Sequence, residues 1–324
     1  MARMLSLGSA LQDIYLIDHD DLKPTAIGDE AIFGKVLVGA KVDIDRLCYT
    51  VGGGGINSAI TFARHGHESI LMANIAHDSA GDAILRTLDS EGIDSSYMEF
   101  VEKKTTGTSV VLLDSGGGER TILTCRGASE KFDNFNAEDL ELLQPDWLYV
   151  TTLRGDFATL TRFFRKAHGM GVKIMFNPGV KELDSRSELL PLLKYLDILL
   201  VNKSEAMRLV PGNLLSEIAY HLTGYSPIVI VTDGAMGGIA ANRESGEVYR
   251  FGIYEDVKMR DATGAGDAFG SGFLAAYASG KSFRQSLDFA SANSTAVVTK
   301  IGANAGILTG RVTLHPMPVQ KISQ

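Results

Sequence analysis

The amino-acid sequence predicts an α/β protein, in which a mainly parallel sheet is flanked by helices and a small antiparallel sheet is attached. Apolar runs of strand length alternate with segments of helical period through most of the chain, which is typical of strands joined by crossover helices. Two regions depart from this alternation, because they contain short strands with no helix between them. The 324 residues are 45% hydrophobic and 22% charged, ordinary values for a chain that buries a core. We therefore expect one large domain spanning residues 1–324.

The parallel sheet is predicted from short, continuous apolar runs, which suit strands that are buried on both faces. These runs cover residues 4–8, 69–76, 146–152, 173–176, 197–201 and 228–232. The helices are predicted from apolar residues at helical spacing, and several are followed by glycine, which favours the left-handed conformation that ends a helix. The predicted helices cover residues 57–65, 80–91, 157–168, 265–278 and 283–300.

The small antiparallel sheet is predicted from strand-like runs that have no helix between them. These runs cover residues 13–18, 35–38, 46–51, 108–113 and 120–124. Residues 114–118 contain three consecutive glycines and predict a hairpin turn between the last two strands. Small molecules usually bind in clefts between two such parts of a protein, so we expect a ligand site where this sheet meets the main body.

Charge and composition exclude several functional classes. The net charge is −8 with acidic and basic residues interspersed, so the chain lacks the basic patch that nucleic acid or an anionic membrane surface requires. The opening apolar run is too short for a signal peptide, and no uninterrupted apolar segment is long enough to span a membrane. The two cysteines, Cys48 and Cys125, form no Cys-x-x-Cys pair, which is typical of a reducing cytosol. We therefore expect a cytoplasmic protein whose partners are small molecules.

The strongest local motif is Asp-Ala-Thr-Gly-Ala-Gly-Asp at residues 261–267, directly before a helix of small, apolar residues. Free N–H groups and the helix dipole favour negative charge at such a helix start, which suits a phosphate or a developing oxyanion. The two carboxylates have a plainer explanation too, since Asp261 could cap the turn and Asp267 could interact with the dipole. The glycines favour the ligand interpretation, because a cap alone does not require such close approach of the backbone.

A second glycine run, at residues 52–55, precedes another predicted helix. Asn57 is either the N-cap of that helix or a ligand-binding residue. The run departs from G-x-G-x-x-G and follows a strand of the small sheet, so it does not predict a Rossmann dinucleotide site. The chain also lacks the G-x-x-x-x-G-K-[ST] phosphate loop and any zinc motif. The close pair His65 and His67 is expected at a solvated helix end.

Two polar segments follow neighbouring predicted strands. Residues 202–205, Asn-Lys-Ser-Glu, come directly after strand 197–201, and residues 232–238 come at the end of strand 228–232. Open α/β sheets bind their ligands at the carboxyl edge of the strands, although turns and helix caps also occur there. Both segments are therefore candidates for the site predicted at the glycine-rich turn.

Together these motifs resemble the ribokinase-like (PfkB) family of ATP-dependent sugar and nucleoside kinases over essentially the whole chain. The family signature D-x-T-G-A-G-D matches residues 261–267, and its G-G-x-x-x-N-x-A matches residues 52–59. The family motifs N-x-x-E and T-x-G-x-x-G match residues 202–205 and 232–237, and its early substrate aspartate matches Asp13. The resemblance implies a ribokinase-like three-layer α/β/α domain. The small antiparallel sheet, from about residues 12–51 and 98–126, would be its lid.

The resemblance also implies roles for individual residues. Asp267 would accept the proton of the acceptor hydroxyl, and the N–H groups of Gly264, Ala265 and Gly266 would form an anion hole for the phosphoryl group. The implied substrate-binding residues are Asp13, Gly53, Asn57 and Asp261. The implied ATP-binding residues are Asn202, Thr232, Gly234, Gly237 and Gly266.

Two cations belong to the implied site. Glu205 and Asn202 would organise Mg²⁺ with the phosphates, with water in between, because this hard cation prefers oxygen ligands and keeps part of its hydration shell. Family members often bind a monovalent cation as well, and the candidates to hold K⁺ here are Asp261, Thr263 and Gly302.

Departures from the family pattern bear on the acceptor. Leu11 and Gly54 stand where ribokinases usually carry asparagine and lysine, so the resemblance does not imply ribose itself. Arg120, Arg126 and Arg154 are either surface residues or ligands for a carboxylate or phosphate of an acidic sugar.

The leading hypothesis is a Mg²⁺- and ATP-dependent kinase that phosphorylates a primary hydroxyl of a small sugar. A nucleoside kinase of the same fold is the nearest alternative, and a catalytically silent sugar or nucleotide sensor is the third. A homodimer is expected, because sheets with exposed edges and apolar faces often pair between subunits.

Overall fold

The computed structural model describes residues 1–17, 25–27, 30–33, 39, 41, 43–44, 46–113, 120–309, 314 and 317–322. In chain order its strands are β1 (Arg3–Leu7), β2 (Leu11–Ile17), β3 (Thr25–Ile27), β4 (Glu30–Phe33), β5 (Arg46–Gly52), β6 (Glu68–Met72), β7 (Asn74–Ile75), β8 (Glu99–Phe100), β9 (Gly107–Leu113), β10 (Arg120–Cys125), β11 (Trp147–Val150), β12 (Lys173–Phe176), β13 (Ile198–Asn202), β14 (Ile228–Thr232), β15 (Gly238–Asn242), β16 (Glu247–Phe251) and β17 (Val319–Lys321).

A mainly parallel sheet forms the body of the protein, as the sequence predicts. Within the described residues it has nine strands in the order β17-β16-β15-β14-β13-β12-β11-β1-β6. The six strands from β6 to β14 pair in parallel, and β15, β16 and β17 extend the sheet antiparallel at one side. Parallel strands end at the same edge, so the segments that follow β1, β11, β12, β13 and β14 meet along one line.

Helices cover both faces of this sheet. They are α1 (Gly54–Arg64), α2 (Ser79–Ser90), α3 (Asp139–Leu143), α4 (Phe157–Gly169), α5 (Val180–Asp184), α6 (Arg186–Leu193), α7 (Lys203–Leu209), α8 (Leu215–Leu222), α9 (Ala265–Ala278) and α10 (Phe283–Val298). Alternate strand residues point to opposite faces: Leu148 and Val150 pack in one core with α4, α6, α7 and α8, whereas Tyr149 packs in another with α9 and α10. The result is the predicted three-layer arrangement. None of the described helices is both long and apolar enough to cross a membrane.

The smaller sheet has the strand order β10-β9-β2-β5. Strands β9 and β10 pair antiparallel, as do β2 and β5, but β2 and β9 pair in parallel, so the antiparallel pattern is interrupted at its centre. The side chains of β2 alternate between buried and half-buried, which places Asp13, Tyr15 and Ile17 on the inner face. The strand predicted at 35–38 and the hairpin turn predicted at 114–118 lie outside the described residues.

Several local predictions need correction. The apolar run 69–76 forms two strands, β6 and β7, and the second pairs with β8 instead of joining the large sheet. The hairpin β15–β16 was not predicted, because Gly and Ala in β15 have low strand propensity even though that strand is buried. His67 is buried, contrary to the solvated helix end expected for it. Its Nδ1 accepts a hydrogen bond from the backbone N–H of Ala2 at 3.2 Å.

Candidate active site

Two cavities meet at the carboxyl edge of the large sheet, where the smaller sheet faces it. The first cavity, about 530 Å³, lies between the inner face of the smaller sheet and the starts of α1 and α9, with Asp13, Asn57 and Arg126 among its lining residues. The second cavity, about 290 Å³, lies along residues 262–267 and the end of β13. The residues that line both are Asn177, Glu205, Gly264 and Asp267. A group beside Gly264 and Asp267 is therefore accessible from both cavities.

The start of α9 forms the boundary between the cavities. Gly264 is its N-cap and has a left-handed backbone with φ of 78°. A Cβ at this position would lie 2.5 Å from the carbonyl oxygen of Ala303, so a side chain is excluded by both conformation and space. Gly266 is different, because nothing lies within 4 Å of its would-be Cβ. Ala265 and Gly266 of this first turn line the second cavity, at the end of the helix where free N–H groups and the dipole favour an anion.

Asp267 lies in the first turn of α9 and is held by Asn57 of α1. The side-chain amide of Asn57 donates a 2.9 Å hydrogen bond to Oδ2 of Asp267. Burial raises the pKa of Asp267 above its usual value, and the hydrogen bond from Asn57 opposes that rise. Asn57 is not the N-cap of α1, a position that Gly53 occupies, so the simpler interpretation of this asparagine is wrong.

The amide of Asn57 is itself oriented by another asparagine. The Nδ2 group of Asn304 donates to Oδ1 of Asn57 at 3.3 Å and to the backbone carbonyl of Val51 at 2.7 Å. With its oxygen engaged in this way, Asn57 presents its NH₂ group to Asp267. Asn304 has no motif around it in the sequence, and it lies 247 residues from Asn57, so no pattern could have found it.

Asp13 lies on the inner face of the smaller sheet and lines the first cavity. It is only 5% exposed, and its Oδ1 accepts a short hydrogen bond from the hydroxyl of Ser109 in the neighbouring strand β9. Burial raises the pKa of Asp13 to about 6; the Ser109 bond opposes the rise, Asp261 adds to it, and Arg126 lowers it slightly. The predicted acceptor-binding residues Asp13, Gly53 and Asn57 therefore come together on one cavity wall.

Asp261, by contrast, lines neither of these cavities and is fully buried below the glycine-rich turn. Its carboxylate accepts hydrogen bonds from the N–H and hydroxyl of Thr263, at 2.9 and 2.6 Å, and from the N–H of Gly302 at 3.1 Å. Arg120, on β10 of the smaller sheet, lies 3.8 Å away and lines the second cavity. The three predicted cation ligands, Asp261, Thr263 and Gly302, are thus adjacent. The hydrogen bonds of Asp261 stabilise the glycine-rich turn.

Asn202 and Glu205 form a reciprocal cap at the start of α7. The N–H of Glu205 donates to Oδ1 of Asn202 at 3.0 Å, and the N–H of Asn202 donates to Oε2 of Glu205 at 2.9 Å. Burial raises the pKa of Glu205, and its bonds with Asn202 oppose that rise. Glu205 lines both cavities and Asn202 lines the second. This motif therefore combines a structural cap with a carboxylate placed beside the glycine-rich turn.

A third cavity, about 490 Å³, continues from the second past the ends of β13 and β14. Asn202 and Thr232 line both, and Gly234 lines the third. Gly237 lines none of the three cavities, because it is buried against the backbone of Phe251.

Asn177 lines the first two cavities but was missed in the sequence analysis. It directly follows strand 173–176, so the rule that ligands bind at strand ends could have found it. Within the described residues, no three His, Cys, Asp or Glu side chains cluster as metal ligands.

Comparison with known proteins places this geometry in a family. The model of the pfkB family of carbohydrate kinases matches residues 26–309. The chain is 27% identical to the ribokinase of Haemophilus influenzae, with 87% of this chain and 90% of that protein aligned. It is 26% identical to an ATP-dependent ribose-1-phosphate kinase of Halopiger xanaduensis, over 94% and 95% of the two chains. It is 28% identical to a nucleoside kinase of Methanothermobacter thermautotrophicus, over 82% and 83%.

Solved structures show the same fold. The structure of Arabidopsis thaliana ribokinase with ribose and ATP superposes with a TM-score of 0.76 at 24% identity, covering 95% of this chain and 96% of that one. The nucleoside kinase of Burkholderia thailandensis in complex with inosine superposes with a TM-score of 0.76 at 18% identity, over 94% of each chain. The predicted ribokinase-like fold and the predicted family are both confirmed. This chain belongs to the PfkB family of carbohydrate kinases, phosphotransferases that act on hydroxyl groups.

Proposed function

We propose that this protein is a kinase that transfers the γ-phosphate of ATP to a primary hydroxyl group of a small sugar. The observation that supports it most is the shared wall of the first two cavities, where Gly264 and Asp267 are accessible from both sides. Such a wall lets an acceptor in the first cavity and a phosphate in the second meet at one carboxylate and one helix start. Direct transfer between two bound substrates requires this kind of arrangement.

In this proposal Asp267 is the general base. The acceptor oxygen attacks the γ-phosphorus and forms the new O–P bond, the bond from that phosphorus to the bridging oxygen of ADP breaks, and the hydroxyl proton passes to Asp267. A base is more effective when its pKa approaches the working pH, and burial raises the pKa of Asp267 in that direction. The hydrogen bond from Asn57 limits the rise and fixes the position of the carboxylate.

The start of α9 would stabilise the charge of the transferring group. Gly264, Ala265 and Gly266 lie at the positive end of a 14-residue helix and line the second cavity, where their backbone N–H groups would donate to the phosphoryl oxygens. Donors that are already in place need no reorganisation during the reaction, which is why such electrostatic stabilisation is effective. Arg120 lines the same cavity and would add a positive charge from the smaller sheet.

ATP would extend from the second cavity into the third, along Asn202, Thr232 and Gly234. Glu205 suits a hydrated Mg²⁺ beside the phosphates, because its reciprocal cap with Asn202 holds a carboxylate at the boundary of the two cavities. When bound, Mg²⁺ would neutralise phosphate charge there. Asp261, Thr263 and Gly302 remain the proposed surroundings of a K⁺ ion.

The acceptor would bind in the first cavity, where Asp13, Gly53 and Asn57 face its hydroxyl groups. The smaller sheet contributes Asp13 and Ser109 to this cavity, so it would act as a lid that completes the site and excludes water.

A homodimer through the outer face of the smaller sheet is part of the proposal. Tyr49 and Leu123 expose 62% and 59% of their surface there, and Leu47 exposes 48%. Pairing two copies would bury these side chains. Light scattering of the purified protein measures the assembly directly, and Tyr49→Glu should convert a dimer into a monomer. A wild-type monomer at micromolar concentration would contradict this part.

The test of the kinase activity is ADP release from Mg²⁺-ATP with a panel of neutral sugars, sugar phosphates, sugar acids and nucleosides. One acceptor should support turnover, and Asp267→Asn should reduce kcat at least about 100-fold while acceptor binding persists. Turnover with nucleosides and with no free or modified sugar would favour a nucleoside kinase instead. If Asp267→Asn retains the wild-type rate, Asp267 is not the base.

A further inference from the structure

The first cavity contains one cationic side chain among its described lining residues, the guanidinium of Arg126. Three carboxylates line the same cavity, namely Asp13, Glu205 and Asp267. A neutral sugar could accept hydrogen bonds from Arg126, as it could bind Asp13 and Asn57, but it has no charge to pair with the guanidinium. An acceptor with an anionic group would pair with that charge as well.

Arg126 is half-buried, and within the described residues its guanidinium makes no hydrogen bond or ion pair. A buried guanidinium normally has such a partner, because leaving its charge and donors unpaired is costly. Burial lowers the pKa of Arg126, and the nearby guanidinium of Arg154 lowers it further. Glu130 and Asp13 act in the opposite direction without contacting it. Arg126 thus presents to the cavity a guanidinium that no described side chain pairs with directly.

Two further polar groups beside Arg126 lack partners. The hydroxyl of Thr151, which lines the first cavity, is buried without a hydrogen-bond partner. The Nε of Arg154 is also buried and unpartnered, although its Nη2 lies 3.5 Å from Glu130. Unsatisfied buried polar groups in a native protein are uncommon. Thr151 therefore offers an unused hydroxyl at the cavity wall, whereas Arg154 does not line the cavity and acts on Arg126 only through its charge.

The loop that carries Arg154 is held firmly in this arrangement. Glu182 is fully buried, and its carboxylate accepts hydrogen bonds of 2.8 Å from the N–H of Leu153 and 2.9 Å from the N–H of Gly155. Arg154 itself adopts a left-handed backbone with φ of 59°, which is unfavourable for a residue with a side chain. Glu182 therefore fixes the backbone on both sides of Arg154, and Arg154 keeps its unfavourable conformation within that loop.

Resting on the proposed kinase activity, we propose that the acceptor is a sugar bearing an anionic group, a phosphate or a carboxylate, which binds Arg126 while its hydroxyl lies beside Asp267. Both side chains line the first cavity, and its volume is typical of sites for small ligands. A planar guanidinium binds the paired oxygens of phosphate and carboxylate equally well, so the geometry identifies the shared anionic chemistry. Arg154 adds long-range attraction, and Thr151 offers a hydroxyl to the same group.

The experiment compares kcat/KM for neutral sugars with that for their monophosphates and for a sugar acid, in wild type, Arg126→Gln and Arg126→Lys. An anionic acceptor should be preferred by wild type, and the better of the phosphate and carboxylate series identifies the group. Arg126→Gln should lower its kcat/KM about 10-fold to 100-fold, mainly through KM, and Arg126→Lys should recover part of the loss. Arg165→Gln, on an exposed position of α4, is the matched control and should match wild type.

Distinct outcomes separate this inference from the kinase activity itself. If a neutral sugar or a nucleoside is the best acceptor, or if Arg126→Gln weakens neutral and anionic acceptors equally, the anionic subsite is wrong and the kinase activity stands. If no acceptor gives ADP release that Asp267→Asn abolishes, both fall together. A thermal shift by the anionic sugar, lost in Arg126→Gln, checks binding without turnover.

Discussion

Asn57 and Asp267 are 210 residues apart in the chain, and the side-chain amide of Asn57 donates a 2.9 Å hydrogen bond to the carboxylate of Asp267. This contact joins the first turns of α1 and α9, the two helices that begin with the glycine-rich segments. One residue of the pair lies in each of the two strongest sequence motifs. The contact therefore couples the wall of the first cavity to the carboxylate at its boundary with the second.

Removing this hydrogen bond should shift the pH dependence of the kinase. The amide of Asn57 stabilises the ionised form of Asp267, so Asn57→Ala should raise the pKa of Asp267 further. In the proposed mechanism Asp267 must be ionised to accept a proton, and the acidic limb of the rate profile should therefore move to higher pH by about 1 to 2 units. Asn213→Ala, at an exposed loop position, is the control for the same measurement. A profile that superposes on wild type would show that the contact does not tune the base.

Asp13 should make the protein less stable as the pH rises. Its pKa is raised to about 6 in the folded protein, against 3.8 for the ordinary group, so the folded state binds more protons between these values. The penalty is absent below about pH 4 and complete above about pH 6, where it amounts to about 3 kcal/mol. Asp13→Asn should increase the free energy of unfolding by up to that amount at pH 8 and leave it unchanged at pH 4.

Urea unfolding at the two pH values measures this difference, with Asp89→Asn at an exposed position of α2 as the control. An equal effect of Asp13→Asn at both pH values would show that the burial of its charge is not the cause. The same variant should weaken acceptor binding, which would make Asp13 a residue retained for binding at the expense of stability.

Gly264 and Gly266 form a matched pair for testing the turn before α9. Gly264→Ala requires a left-handed alanine and places its Cβ against the carbonyl of Ala303, so the free energy of unfolding should fall by more than about 2 kcal/mol. Gly266→Ala meets open space and adds helix propensity, so stability should stay unchanged or rise by up to about 1 kcal/mol. Chemical denaturation of both variants checks the contrast. Equal losses would mean that the turn does not depend on the backbone of Gly264.

Glu205 can be tested separately for its structural role in the cap and for its proposed role in binding Mg²⁺. Glutamine also completes a reciprocal cap with Asn202, so Glu205→Gln should leave the stability of α7 within about 0.5 kcal/mol of wild type. The loss of its charge should nevertheless raise the Mg²⁺ concentration needed for half-maximal activity about 10-fold. Glu217→Gln, exposed on α8, is the control in the same titration. An unchanged Mg²⁺ requirement would assign Glu205 to the cap alone.

Much of the fold was predictable because its determinants are local. The strands at 173–176 and 228–232 and the helix at 265–278 have the predicted bounds, since each is a continuous apolar run or a helical pattern bounded by turn residues. The order of elements also follows, because alternating strands and helices produce a parallel sheet. The hairpin β15–β16 escaped prediction, since its small residues are stabilised by burial against the sheet and not by their own propensity.

The sequence by itself determined where the candidate site would form, because the two glycine-rich helix starts and the polar segments at strand ends can be recognised from residue order alone. Only the tertiary structure decided which of these residues line the cavities and which side chains they contact. It buries Asp261 under the turn, directs Asn57 at Asp267 through Asn304, and places Gly237 away from the cavities. These relationships depend on residues that are distant in the chain, and their distances and burial arise only when the sheet and its helices have packed.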